Sequence, residues 1–424
     1  MDEAFLNYVW KYRLLKSTLF TTDGLELIVH SPGEVNTDSG PDFFNSDIQI
    51  GNIRWVGNVE IHTKASDWYL HKHHLDKAYN NVVLHVVYEN DKDVLLENGN
   101  KLHVLEVKSF IRDGVLERGL NLLHSSQSGI ISCIKSLENI QSFYFSTYFE
   151  KLVVERLERK SGVVDSVLSQ CAGSWESCCY IMFAKYFGGK TNSLPFEMLA
   201  KSIPIQLYSK LQTSEFQIEA LLFGQSGLLE KEYSDNYPCE LKKEYDYLKK
   251  VYNLTSIDGS MWKFFRIRPN GFPTLRISQF AMLLKESRNL FSKLLEAKTP
   301  DELMAYFDVS TSDYWTTHYH FDKESVKFEK RIGRSFANML IINAWIPLLF
   351  HYGAKHGMQS CKDLALQLLE KADVESNATI KTWCLAGLKP KTAFESQALL
   401  ELHEEYCKTK RCLECNIGYK VLKG

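Results

Sequence analysis

No apolar run in this 424-residue chain reaches the ~18 residues needed to cross a bilayer, so a membrane-spanning role is not expected. Net charge is nearly absent as well: 50 basic against 52 acidic residues leave −2, which excludes a global basic field wrapping nucleic acid and leaves only a local groove. Proline is scarce at 10 residues, and no low-complexity linker or solenoid-period repeat appears. The ten cysteines form no regular framework, and the start, MDEAFLNYVWKYRLLK, is acidic before it is apolar and lacks a signal-peptide pattern. The expectation is a cytoplasmic chain with reduced thiols. What is present is apolar mass. Hydrophobic residues make up 45 % of the chain, with 24 Phe, 21 Tyr and 8 Trp, enough for two well-packed domains.

The pattern changes once along the chain. Before about residue 112 it alternates helix and strand. Helical spacing over 3–16 precedes a strand at 25–30, a hairpin at 44–50 and 53–63 and a short helical link over 67–77. Strands at 81–88 and 101–107 complete a mixed sheet with a helix against it. After that, helical periods dominate: 136–170, 175–187, 214–230, 238–253, 273–296, 326–352, 360–373 and 393–408. Pro204, Pro238, Pro273 and Pro390 fall at helix starts or linkers, and Pro347 lies inside an apolar helix that it should kink. The reading is α+β: a mixed-sheet α/β domain over 1–112, then a large mostly α-helical domain over 113–424.

Chemistry concentrates between Asn36 and His85. Asp42 follows a Gly-Pro break, and Gly51-Asn52 suits a tight hairpin that brings Asp42 toward the next strand. On that strand alternation puts Glu60, His62 and Lys64 on one face. Two carboxylates beside a base make a site for Mg²⁺ or Mn²⁺, with Asp42 and Glu60 as hard oxygen ligands and His62 or Lys64 orienting or deprotonating a water. The bland alternative is a solvated strand face with surface ion pairs. Histidines crowd the same stretch: His71 and His73 with Asp76 could hold zinc together with His62 or His85.

Two further signals lie outside this stretch. His403-x3-Cys407-x4-Cys412-x2-Cys415 has knuckle spacing for a structural zinc site. Arg266, Arg268 and Arg276 flank Pro273, whose helix start favours an anion, and are candidate nucleic-acid contacts.

The helix–strand–hairpin–strand order with Pro41-Asp42 and Glu60-Ile61-His62 resembles the PD-(D/E)XK phosphodiesterase superfamily, in which Glu-x-Lys follows the first acid. Here His62 stands in the Lys position, with Lys64 two residues on, and Glu34 matches the extra upstream acid of some members. The resemblance implies a restriction-endonuclease-like core and a metal-dependent nuclease. It also implies an alternative assignment of the C-terminal cysteines to an iron–sulfur cluster with one upstream cysteine, sought among Cys361, Cys384 or others. Separately, VEIHTKASDW, RPNGFPTLRISQFA and SQALLELHEEYCKTKRCLECNIG are similar to an uncharacterised bacterial family, domain of unknown function 2851, which implies no established activity. The leading expectation is therefore a Mg²⁺-dependent nuclease. Its rivals are a non-catalytic nucleic-acid or protein-interaction module on the same fold, and a zinc hydrolase built on the histidines.

Overall fold

A computed structural model describes residues 2–36, 39–124, 131–140, 142–211, 214–287 and 289–423. The protein combines an N-terminal mixed sheet with a mostly helical remainder. It divides into two units, Met1–Gln141 with His403–Gly424, and Ser142–Leu402. This corrects the expected division after residue 112. The end of the chain belongs with the sheet, where helix Asn416–Lys423 packs on helix α3 (Val115–His124) and the Arg118 guanidinium donates to the Leu422 carbonyl at 2.9 Å. That bond satisfies one of the carbonyls a helix end leaves open.

The first unit is built on a seven-stranded sheet in the order β1-β2-β4-β5-β6-β7, with β3 also paired to β4. The strands are β1 (Leu19–Phe20), β2 (Glu26–Ser31), β3 (Glu34–Val35), β4 (Phe43–Ile50), β5 (Ile53–Lys64), β6 (Val82–Glu89) and β7 (Val104–Glu106). β2, β4 and β5 run antiparallel, whereas β5–β6 and β6–β7 are parallel. The near-continuous apolar run of β6 is what a strand buried on both faces requires. The first four residues of β5 are exposed and the next six buried, because only that second half runs beside β6. Gly57 permits the approach: a Cβ there would lie 2.4 Å from Val83 Cγ1.

Helix α1 (Glu3–Lys11) is capped by Asp2, whose side chain accepts from Ala4 N–H, and it buries Phe5, Leu6, Tyr8, Val9 and Trp10. It stops short of the expected Lys16 because Arg13 takes a left-handed conformation at φ 51°. Beyond β5, helix α2 (Asp67–Leu70) inserts Trp68 into a core of Ala65, Tyr79, Val82, Val87, Val94, Leu102 and Val104.

The second unit is helical, apart from a small ribbon at His318–His320 and Lys323–Glu324. Helix Trp175–Phe187 matches its expected bounds, whereas the expected 273–296 helix is broken into Pro273–Glu286 and Leu290–Glu296, with Asn289 left-handed at φ 52°. Pro347 does not end its helix. A π-helical turn at Ile341–Trp345 precedes it, Pro347 occupies the first turn of Ile346–His356, and its missing N–H falls where the hydrogen-bond ladder is already shifted. The joined helix, Arg334–His356, is long and apolar enough by length and composition to cross a membrane, contrary to the sequence reading. Its apolar window is 78 % buried inside the protein, as a core helix would be. None of the ten cysteines is in a disulfide.

Candidate metal centre

One irregularity of the sheet builds the site. β4 and β5 pair Phe43 with Val59 but Ser46 with Gly57, so β4 carries one extra residue, and Asn45 absorbs it at φ 54°. Such a bulge re-aims the residues beside it. Asp42 is brought next to Glu60, and each carboxylate holds the other strand's backbone. Asp42 N–H donates to Glu60 Oε2 at 3.1 Å, and Ile61 N–H donates to Asp42 Oδ2 at 2.9 Å. Glu60 is 5 % exposed. From α1, which packs on β5, Asn7 hydrogen-bonds Asp42, and Glu3 approaches to 4.0 Å of His62 Nε2.

The imidazoles close the other side. The parallel register sets His85 of β6 opposite Glu60, and the His62 Nδ1 to His85 Nε2 distance is 2.8 Å. On the far side of its ring, His62 Nε2 lies 3.0 Å from His71 Nδ1 and 3.4 Å from Glu60 Oε1. His71 and His73 follow α2 around Lys72, which is left-handed at φ 63° and turns both rings inward. His73 Nε2 is buried 3.2 Å from Glu60 Oε1 and has no aligned hydrogen-bond partner. One ring nitrogen from each of His62, His71 and His73 lies within 4.8 Å of the others, the only such triad of His, Cys, Asp or Glu among the described residues.

The electrostatics are those of a site short of positive charge. Burial, then the Glu60 charge, push the Asp42 carboxyl up to about 7. Burial also raises Glu3, with Glu60 adding to it. Burial and the neighbouring imidazoles push His62 down to about 2, and burial, then His73, push His85 down to about 3. Both rings are therefore neutral at physiological pH, the form that binds metals. The orphaned His73 nitrogen, the two adjoining carboxylates and the neutral imidazoles together fit a divalent ion.

Of the residues singled out in the sequence, Asp42, Glu60 and His62 converge, and His71, His73 and His85 join them. Lys64 sits at the exposed end of β5, where its charge acts on Asp91. Glu34 is exposed on β3, and Asp76 caps the turn that follows it by accepting from Ala78 N–H. In the helical unit Arg266 and Arg268 are exposed, Arg266 lying over its neighbour Phe265. Arg276 is turned into its own unit: it stacks on Phe336 and donates to Gln279 Oε1 at 2.8 Å, and burial lowers it to about 10. Cys407, Cys412 and Cys415 share a cavity with Cys133 rather than with His403, Cys361 or Cys384. His403 has a buried, unpartnered Nδ1 and does not line that cavity.

Glu3, Asn7 and Cys133 were not foreseen. Glu3 and Asn7 lie one helical turn apart on α1, which is the one available signal. Cys133 gave none.

The family described as Protein of unknown function (DUF2851) matches residues 3–378, and the chain belongs to it. The match includes the Asp42–His85 stretch and Cys133 and ends before the C-terminal cysteines. No curated protein and no solved structure matches the chain.

Proposed function

We propose that the first unit is a metal-dependent phosphodiesterase acting on nucleic acid. The observation that carries the reading is the convergence of the ring nitrogens of His62, His71 and His73 within one ion's reach, with Glu60 Oε1 3.4 Å from His62 Nε2 and 3.2 Å from His73 Nε2. Mixed imidazole and carboxylate donors suit Mn²⁺, Fe²⁺ or Zn²⁺ better than Mg²⁺, which prefers oxygen ligands. The reading thus joins the two-carboxylate and histidine alternatives into one centre, held by Glu60, His62, His71 and His73. Such an ion, when bound, would acidify a water and offset the charge that develops on a phosphoryl oxygen.

The chain's own groups do the rest. His62 Nδ1 lies 2.8 Å from His85 Nε2, and the tautomer that places the proton on His62 Nδ1 fixes the ring and leaves its Nε2 lone pair toward His71 and Glu60. Asp42, held beside Glu60 by Ile61 N–H and Asn7, is the group placed to take a proton from the attacking water. Asp42 also lies in the wall of a groove of about 530 Å³, whose lining includes Asn7, Lys11, Asn36, Lys410 and Arg411. Lys11, Lys410 and Arg411 are the groove's cations toward a phosphate backbone, with Arg411 paired to Glu414, which together with Asp2 also lines it. The carboxylate pair at a strand opening, with a helix over the sheet, supports the likeness to the PD-(D/E)XK core.

The test is cleavage of single- and double-stranded DNA and RNA by the full chain, stripped with chelator and resupplied with Mn²⁺, Zn²⁺ or Mg²⁺. Expected are cleavage with Mn²⁺ or Zn²⁺, none in chelator, and its loss in Glu60→Gln and His73→Ala together with bound metal. Equal cleavage by wild type and Glu60→Gln marks a contaminant. Salt-sensitive binding without cleavage under any metal replaces the enzyme with a binding module.

A further inference from the structure

We infer that Cys133, Cys407, Cys412 and Cys415 ligate an iron–sulfur cluster. The four thiols line one small cavity, walled also by Leu122 and Tyr406. They are mutual electrostatic neighbours: Cys133 feels Cys412 and Cys415, and Cys407 feels the other three. None of the four is in a disulfide, so disulfides do not account for the grouping.

Three observations select a cluster over a single ion. Cys407-x4-Cys412-x2-Cys415 with one remote cysteine is the ligand spacing of plant-type iron–sulfur sites, here with the remote residue upstream. Zinc holds sulfurs at ~2.3 Å, which sets them about 3.8 Å apart around a tetrahedron. The only three ligand atoms within 4.8 Å of one another among the described residues are the histidine nitrogens, so no three of these sulfurs are that close. The exposed lining of the pocket is apolar, Cys415 is buried, and the Ser132 side chain is hydrogen-bonded to Cys412. Hydrogen bonds to sulfur and exclusion of water are what tune such centres.

The backbone around the ligands is shaped for them. Lys410 takes φ 56° and turns the chain between Cys407 and Cys412. Gly418 lets the last helix meet the knuckle, since a Cβ there would lie 1.9 Å from the Cys412 carbonyl oxygen. Binding replaces the four thiol protons with four iron–sulfur bonds to a preassembled cluster, the protons leaving to solvent.

The test is anaerobic purification of the full chain from iron-supplemented cells, with iron, acid-labile sulfide and zinc analysis and the visible spectrum. Expected are iron and sulfide in equal amounts and a broad visible absorption bleached by dithionite. Both should be lost in Cys133→Ser and Cys412→Ser and retained in Cys361→Ser and Cys384→Ser. Zinc without iron overturns the cluster, as does a metal-free chain or iron retained in Cys133→Ser. Where Cys133→Ser does not fold, the iron-to-sulfide ratio of the wild type and the Cys412→Ser variant decide.

Discussion

Asp42→Asn separates a metal centre from an ordinary polar strand end. In chelator the Asp42 carboxyl is raised from 3.8 to about 7, chiefly by burial and then by Glu60. Below about pH 4 it is protonated in the folded and the unfolded chain alike. Between about pH 4 and 7 the folded chain keeps a proton that the unfolded chain has released, so stability falls as pH rises through that window. Three pKa units at 1.36 kcal/mol each amount to roughly 4 kcal/mol, fully developed by about pH 8. Asparagine has the same size and can still accept from Ile61 N–H, but carries no charge. The variant should match wild type near pH 4 and exceed it by up to roughly 4 kcal/mol near pH 8. Both chains carry the same histidines, so their difference isolates Asp42. Denaturant unfolding read through amide exchange of β5 reports this unit alone. A difference that does not change with pH, or a variant less stable than wild type near pH 8, refutes the account. Saturating Mn²⁺ or Zn²⁺ should shrink or reverse the gap, because the ion supplies the missing positive charge.

His62 and His85 titrate in the opposite sense. Their pKa values lie at about 2 and 3 in the fold, so their contribution is present above about 6.5 and is lost as pH falls, and His85→Gln should flatten the acid limb of a β6 exchange profile. In the helical unit Glu401, 2 % exposed, is bound by Arg156 at 3.0 Å and by Arg159. Glu401→Ala removes the carboxylate that both guanidiniums share, while Arg156 keeps its bond to Gln397 Oε1, and should cost about 1.5–3 kcal/mol in denaturant unfolding. Gly224→Ala drives a Cβ to 1.9 Å from the Tyr245 ring and should lower the melting temperature through overpacking of about 1–3 kcal/mol.

What the sequence disclosed is what depends on local period. Alternation along β5 put Glu60 and His62 on one face, and Gly51-Asn52 gave the hairpin that returns β4 to it. The bulge at Asn45 is different. Nothing in Phe-Phe-Asn-Ser announces which residue will carry the extra count, because the pairing register is settled by the buried face of the whole sheet. The inward turn of His71 and His73 rests on one left-handed lysine, a conformation no propensity scale predicts. That His85 faces Glu60 follows only from the parallel register of β6, which local period does not give.

The C-terminal segment shows how far a local pattern can mislead. Helical spacing over 393–408 favoured His403 as the partner of Cys407. A π-turn at Leu402–Cys407 changes the rotation per residue, so an i,i+4 argument fails there. The partner that arrives instead, Cys133, comes from across the chain, by a contact no spacing rule encodes. Between Cys407 and Cys412 lie Lys410 and Arg411, two of the cations in the groove beside Asp42. The same knuckle that gathers the thiols therefore sets the charge on the wall of the candidate phosphodiester groove. A cluster that locks Cys412 in place fixes those cations too, which gives a reason for the end of this chain to return to the sheet unit rather than to finish the helical one.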